Sequence, residues 1–110
     1  QPLLKWYDAF NLDKLSKVHA KELSGGEKQK IFLSRIFSIN SEVIIMDEPN
    51  LNLDLDSEST LINLLKDEKK NNKTIIFAMH DYDIVKKIAD KIILLDQGSV
   101  IFSGDIKEFF

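Results

Sequence analysis

The sequence predicts an α/β fold in which helices flank a parallel β-sheet. Three short apolar runs, rich in β-branched residues, lie at residues 43–46, 74–78 and 91–95. Helical patterns separate them, at residues 56–70 and 81–90. Strands that are apolar at every position are typical of a parallel sheet buried on both faces. Their alternation with helices indicates an α/β domain.

The first 40 residues have a different pattern, which favours helices. Apolar residues recur at helical spacing between residues 3 and 10, just after Pro2. Ser24 precedes a second helical pattern, and Glu27 follows it by three residues, as in a capping box. We therefore expect a helical part at residues 1–40 and an α/β part at residues 41–110.

Turn and cap residues predict the remaining boundaries. Asp56 or Ser57 is expected to cap the helix after the first strand. Gln97-Gly98 predicts a tight turn after the third strand. The segment that follows the turn is expected to pair with that strand as a hairpin at the sheet edge. A short final helix is expected after Gly104-Asp105.

Composition narrows the classes of function. The chain has 110 residues and a formal net charge of −3, so it carries no net positive field that would attract nucleic acid. Its apolar runs are far shorter than the ~20 residues of a membrane-spanning helix. It has no cysteine, which leaves out disulfides.

Polar residues follow the first two apolar runs, directly after the first and one residue further on after the second. Ligands of parallel α/β sheets bind at the carboxyl ends of the strands, where Asp47, Glu48 and His80 are expected. Asp47 is suited to Mg²⁺ on nucleotide phosphates, and Glu48 to activating a water for attack on a γ-phosphate. His80 is suited to donating to a phosphate oxygen. The alternatives are a solvated strand exit for the acid pair and a structural role for the histidine.

The loop Leu23–Glu27 has the composition of an anion site. Unpaired N–H groups at a helix N-terminus carry partial positive charge, and Gly25 and Gly26 let an anion approach the backbone. The alternative is a serine cap after a glycine hinge. A cap accounts for Ser24, but not for two glycines that cost about 1 kcal/mol each within a helix.

Taken together, these motifs resemble the ATP-binding cassette family. Leu23–Glu27 with the following Lys28-Gln29-Lys30 looks like its signature motif, and Val43–Pro49 like Walker B with its catalytic glutamate. Asn50–Asp54 is similar to the D-loop, and Phe77–Asp81 resembles the switch-histidine loop. The four motifs stand in the family's order and spacing.

The resemblance implies a fold, two ligands and a role for each motif residue. It implies the C-terminal part of a P-loop NTPase (RecA-like) sheet, preceded at residues 1–40 by part of the helical signature subdomain. ATP and Mg²⁺ are the implied ligands, with Asp47 on the metal, Glu48 on the attacking water and His80 on the γ-phosphate. Two nucleotide-binding domains would pair head to tail. The residues implied to contact the partner's nucleotide or to communicate across the dimer are Ser24, Gly25, Gly26, Glu27 and Asp54.

The residues after His80 favour a transporter over the soluble members of the family. That implies a membrane-spanning partner subunit and a location at the cytoplasmic side of the cell membrane. A translation factor, a DNA-repair or chromosome ATPase, and a non-catalytic half that supplies only its signature motif are the alternatives. Trp6, Tyr7 and Phe10 are either contacts to the membrane subunit or the helical part's own core.

Two departures from the family pattern affect the expected activity. The chain has no glycine-rich loop ending in Lys and Ser or Thr, so we expect it to be inactive alone. Asn50 stands at a position that is usually threonine, which puts the detail of the D-loop in doubt.

Overall fold

The computed structural model describes residues 2–12 and 22–110. The chain separates into two compact units, Gln1–His80 and Asp81–Phe110. The division expected near residue 40 stays a prediction, and the two units are described separately below.

The first unit contains two helices followed by a strand–helix–strand motif. Its elements are α1 (Pro2–Ala9), α2 (Gly25–Ser38), β1 (Val43–Asp47), α3 (Leu55–Lys70) and β2 (Thr74–Ala78). The two strands pair in parallel, from Val43 opposite Thr74 to Asp47 opposite Ala78. Parallel neighbours need a long crossover, and α3 supplies it. The predicted α/β arrangement is therefore confirmed for the first two apolar runs.

Burial on both faces of the sheet was the wrong expectation. Along β1, Ile44 and Met46 are buried, whereas Val43 is half-exposed and Ile45 is 72% exposed. Successive side chains of a strand point to opposite faces, so this alternation means that the described residues cover one face of β1 only. β2 alternates in the same way, and Ile76 is exposed.

An aromatic cluster lies in the core of the first unit. Trp6 is fully buried and stacks on Phe37, with ring centroids 3.9 Å apart and an interplanar angle of 10°. Phe10 is also buried, and its ring centroid lies 5.9 Å from that of Trp6. The interpretation of Trp6 and Phe10 as core residues is confirmed, while Tyr7 is half-buried.

Glu68 ties α1 to the end of α3. Its carboxylate is buried and accepts a hydrogen bond from Trp6 Nε1 at 3.1 Å. Lys5 and Lys73 lie 3.6 and 3.5 Å from its two oxygens. A buried carboxylate is tolerated only when it is paired and hydrogen-bonded, and these three partners meet that need.

The second unit is a hairpin between two helices. It consists of α4 (Tyr82–Ile88), β3 (Lys91–Asp96), β4 (Ser99–Asp105) and α5 (Ile106–Phe109). Gln97 and Gly98 both have positive φ, 47° and 79°, as a two-residue type I′ turn requires. The predicted hairpin and final short helix are therefore confirmed. The helix packs on the hairpin through Phe109 of α5 and Phe102 of β4, whose ring centroids are 5.3 Å apart.

The third apolar run is a strand, and its pairing with β4 is the one that the predicted hairpin requires. β3 runs antiparallel to β4, and the short turn between them explains why. Ile93 and Leu95 are exposed, so this strand also alternates instead of being buried on both faces. None of the described helices is long and apolar enough to span a bilayer.

Candidate functional site

The carboxyl ends of β1 and β2 bring the predicted polar residues together. Asp47 is the last residue of β1, is exposed to solvent, and lies opposite Ala78, the last residue of β2. The Glu48 N–H extends the pairing by donating to the Ala78 carbonyl at 2.8 Å. His80 follows β2 by two residues.

Glu48 and His80 are in contact. His80 Nε2 lies 3.3 Å from Glu48 Oε1. The histidine side chain is 97% exposed, whereas that of Glu48 is only 27% exposed. The pair therefore combines a carboxylate held partly out of solvent with an imidazole open to it, an arrangement that can pass a proton between a bound water and the solvent.

The backbone of Glu48 is unusual. Its φ is 50°, in the left-handed region that non-glycine residues rarely occupy. Leu51 N–H donates to the Glu48 carbonyl at 3.1 Å, which closes a turn around the buried Pro49. Strained backbone of this kind persists only where the surroundings hold it in place. The acid pair in the sequence carries no signal of it.

The glycine loop (Leu23–Glu27) starts α2 with the predicted capping box. Glu27 N–H donates to Ser24 Oγ at 3.1 Å, and Ser24 N–H donates to Glu27 Oε1 at 2.9 Å. The Ser24 hydroxyl accepts in this cap and keeps its own proton for a further acceptor. Glu27 is engaged in the cap, while Ser24 remains able to donate to an anion.

The structure gives the two glycines a packing role that the sequence did not reveal. A Cβ on Gly26 would lie 2.6 Å from the backbone oxygen of Asn52, closer than real Cβ contacts come. A Cβ on Gly25 would meet the end of the Asn52 side chain at 3.2 Å. The residues after β1 thus pack directly on the glycine loop, and Gly26 is required for that approach.

An open groove lies where the glycine loop meets this segment. Its volume is about 310 Å³, and its lining residues are Ser24, Gly25, Gly26, Glu27, Lys30, Asn52 and Asp54. The predicted site residues therefore fall into two groups. Asp47, Glu48 and His80 lie at the strand ends, and the rest line this groove.

Asp54 both lines the groove and caps α3. Ser57 N–H donates to Asp54 Oδ1 at 2.8 Å, so Asp54 is the cap, and the expectation of Asp56 or Ser57 was wrong. Both of those residues lie inside the first turn of α3. The Ser57 hydroxyl and then its backbone N–H lower the pKa of Asp54 below the ordinary value, and the charge of Lys30 adds to this.

Gln29 is a contact residue to which the sequence assigned no role. Its Nε2 donates to the Pro49 carbonyl at 3.0 Å, across 20 residues of chain. The hydrogen bond joins α2 to the turn that begins at Glu48. A glutamine on a helix is usually solvated, so only the tertiary structure reveals this contact.

Comparison with solved structures defines the class of protein. The chain superposes on a dimeric ATP-binding cassette in a post-hydrolysis state bound to ADP and Pi, with a TM-score of 0.82 and 24% identity, covering 94% of this chain and 45% of that one. It also matches the ADP conformation of an ATP-binding cassette of an ABC transporter, with a TM-score of 0.74 and 26% identity, covering 97% and 44%. The fold is that of part of a P-loop NTPase domain.

Sequence comparison places the chain within that class. A family profile described as ABC transporter matches residues 1–51. The energy-coupling factor transporter ATP-binding protein EcfA2 of Mycoplasmoides gallisepticum is 44% identical over 89 residues, which cover 81% of this chain and 28% of that protein. The chain belongs to the family of ABC transporter ATP-binding proteins. It spans less than half the length of each of these three relatives.

Proposed function

We propose that this chain is the hydrolysis and dimer-contact portion of an ABC transporter ATP-binding subunit. In that role it acts on the γ-phosphate of ATP. The observation that carries the proposal is the 3.3 Å contact between Glu48 and His80 at the carboxyl ends of β1 and β2. A carboxylate and an imidazole in contact at that edge suit the activation of a water.

Glu48 is the proposed general base. Its carboxylate accepts the proton of the attacking water, and its partial burial limits competing solvent. The exposed His80 orients that carboxylate and can donate to a γ-phosphate oxygen. These roles agree with the family motif and with the contact between the two side chains.

Asp47 fits a role as a Mg²⁺ ligand. It presents an exposed carboxylate, and Mg²⁺ in nucleotide sites is commonly held by one or two carboxylates together with phosphates and water. Among the described residues no group of three or more His, Cys, Asp or Glu side chains is placed to hold a metal ion. When bound, the ion would neutralise charge that develops on the phosphates.

The groove at the glycine loop is the proposed contact to ATP on a second nucleotide-binding domain. The free donor of Ser24, the N-terminus of α2 and the neighbouring Lys30 offer positive potential to a phosphate. Gly25, Gly26 and Glu27 line the same groove, and so does Asp54, which would contact the partner domain there. The dimeric ATP-binding cassette with ADP and Pi supports such a pairing.

Transport is the proposed use of the hydrolysis. The relative from Mycoplasmoides gallisepticum is named as an energy-coupling factor transporter ATP-binding protein, which supports a membrane-spanning partner and a place at the cytoplasmic side of the membrane. In this proposal residues 1–40 belong to the helical signature subdomain and residues 41–110 to the RecA-like core.

Replacement of the proposed base tests the function. In the full-length parent, Glu48→Gln should lower ATP turnover by about 100-fold or more, because the amide cannot accept the proton. It should still bind ATP and accumulate as an ATP-dependent dimer, measured by light scattering alongside phosphate release. Glu42→Gln, the same change at an exposed residue just before β1, is the control. Wild-type turnover in Glu48→Gln would refute the proposed role.

A further inference from the structure

The turn that begins at Glu48 is held from α2. Glu48 occupies the left-handed region, and local contacts alone do not favour that conformation in a glutamate. On one side, its N–H is bonded to the Ala78 carbonyl of β2. On the other side lies Pro49, whose carbonyl accepts the Gln29 hydrogen bond at 3.0 Å.

The Pro49 carbonyl has a specific need for this donor. Pro49 is almost completely buried, and a buried carbonyl without a partner is costly. Without Gln29, the carbonyl would recover a partner by rotating toward water. Such a rotation changes ψ of Pro49 and φ of Asn50, the central torsions of the turn, so it would move the Leu51 N–H away from the Glu48 carbonyl to which it is bonded.

The same helix also carries the groove residues. Gln29 lies five residues after Ser24 and three residues after Gly26, where a Cβ would lie 2.6 Å from the Asn52 backbone oxygen. Two points on α2 therefore fix the segment from Pro49 to Asn52. Both points lie on one helix of 14 residues, so a displacement of its N-terminus would reach both of them.

We propose that Gln29 is a positioning residue for Glu48, which it acts on through the Pro49 carbonyl. It thereby links occupation of the groove at the glycine loop to the orientation of the general base. The inference rests on the proposed function and adds to it the means by which the dimer contact regulates hydrolysis within one chain.

The test compares two variants at position 29 in the full-length parent. Gln29→Met keeps the length of the side chain and removes the donor, so kcat should fall by about tenfold with KM for ATP within about twofold of wild type. Gln29→Lys restores a donor of similar reach and should recover most of kcat. Asn63→Met, the amide-to-methionine change at an exposed position of α3, is the matched control and should keep wild-type kcat.

A second arm separates positioning from general loss of structure. In the Glu48→Gln background the base is gone, so Gln29→Met should add no further loss to the residual rate. ATP-dependent dimerisation of that double variant should match that of Glu48→Gln alone. An additive loss of rate in the double variant would overturn the proposal. So would a kcat for Gln29→Lys no higher than that of Gln29→Met, or a wild-type kcat for Gln29→Met.

The outcomes distinguish this inference from the proposed function. If the wild-type parent hydrolyses ATP and Glu48→Gln abolishes it while Gln29→Met does not alter kcat, only the positioning role fails. If Glu48→Gln keeps full turnover, the proposed function itself fails.

Discussion

Gly26 lies where a side chain would collide with the backbone. The 2.6 Å separation between its ideal Cβ position and the Asn52 oxygen involves main-chain atoms, which cannot rotate away. At Gly25 the nearest atom is the end of the Asn52 side chain, 3.2 Å away and free to change rotamer. A side chain is therefore disfavoured at these two adjacent positions for different reasons: by the backbone at Gly26 and by a side chain at Gly25.

This difference predicts unequal effects of alanine at the two positions. In the nucleotide-free parent, Gly26→Ala should lower the free energy of unfolding by about 1–3 kcal/mol, because the segment after β1 must shift. Gly25→Ala should cost less, since its clash is relieved by a side-chain rotation while alanine favours the helix. Denaturant unfolding measures both. Equal midpoints for the two variants would mean that the Asn52 segment adapts freely.

At the level of elements, caps and turns define where helices and strands begin. Ser24 and Glu27 close the start of α2 by two reciprocal hydrogen bonds, and Asp54 caps α3 through Ser57. Asp54 is exposed to solvent, yet these local hydrogen bonds still lower its pKa. The stability of α3 should therefore depend on pH.

The sign of this pH dependence follows because the folded state favours the ionised form of Asp54. Because the folded pKa of Asp54 lies below 3.8, its contribution is present above that pH and is lost as the pH falls through the folded pKa. Asn also caps helices but does not titrate, so Asp54→Asn should flatten the fall in unfolding midpoint between about pH 5 and about pH 3. Asp56→Asn, in the same turn but not the cap, should keep the wild-type slope. A wild-type slope in Asp54→Asn would contradict this assignment.

At the level of the whole molecule, the two groups of site residues are both proposed to act on phosphates that other residues hold. The chain contains no glycine-rich loop ending in Lys and Ser or Thr. Asp47, Glu48 and His80 are proposed to act on the γ-phosphate, and Ser24 on the nucleotide of a partner domain. None of them is a cradle for the β- and γ-phosphates.

We therefore expect the isolated 110-residue chain to hydrolyse no ATP. Phosphate release in the presence of Mg²⁺ should equal that of the same chain carrying Glu48→Gln, because the base has no held substrate. Release above that control, proportional to chain concentration, would show that these residues bind nucleotide productively without a phosphate-binding loop.

Local sequence patterns determined the elements of this protein and the order of its motifs. Apolar runs, the capping box and the Gln97-Gly98 turn depend on residues that are near one another in the chain. For that reason they predicted the strands, α2 and the hairpin correctly. The residues that carry the family resemblance were identified in the same way.

Contacts between distant residues were decided by the tertiary structure alone. An apolar strand does not reveal which of its faces is covered, so burial on one face only could not be predicted. The left-handed backbone of Glu48, the approach of Asn52 to Gly26 and the bond from Gln29 to Pro49 all arise where α2 packs against the segment after β1. Such contacts depend on how whole elements meet, and no periodicity or local motif encodes them.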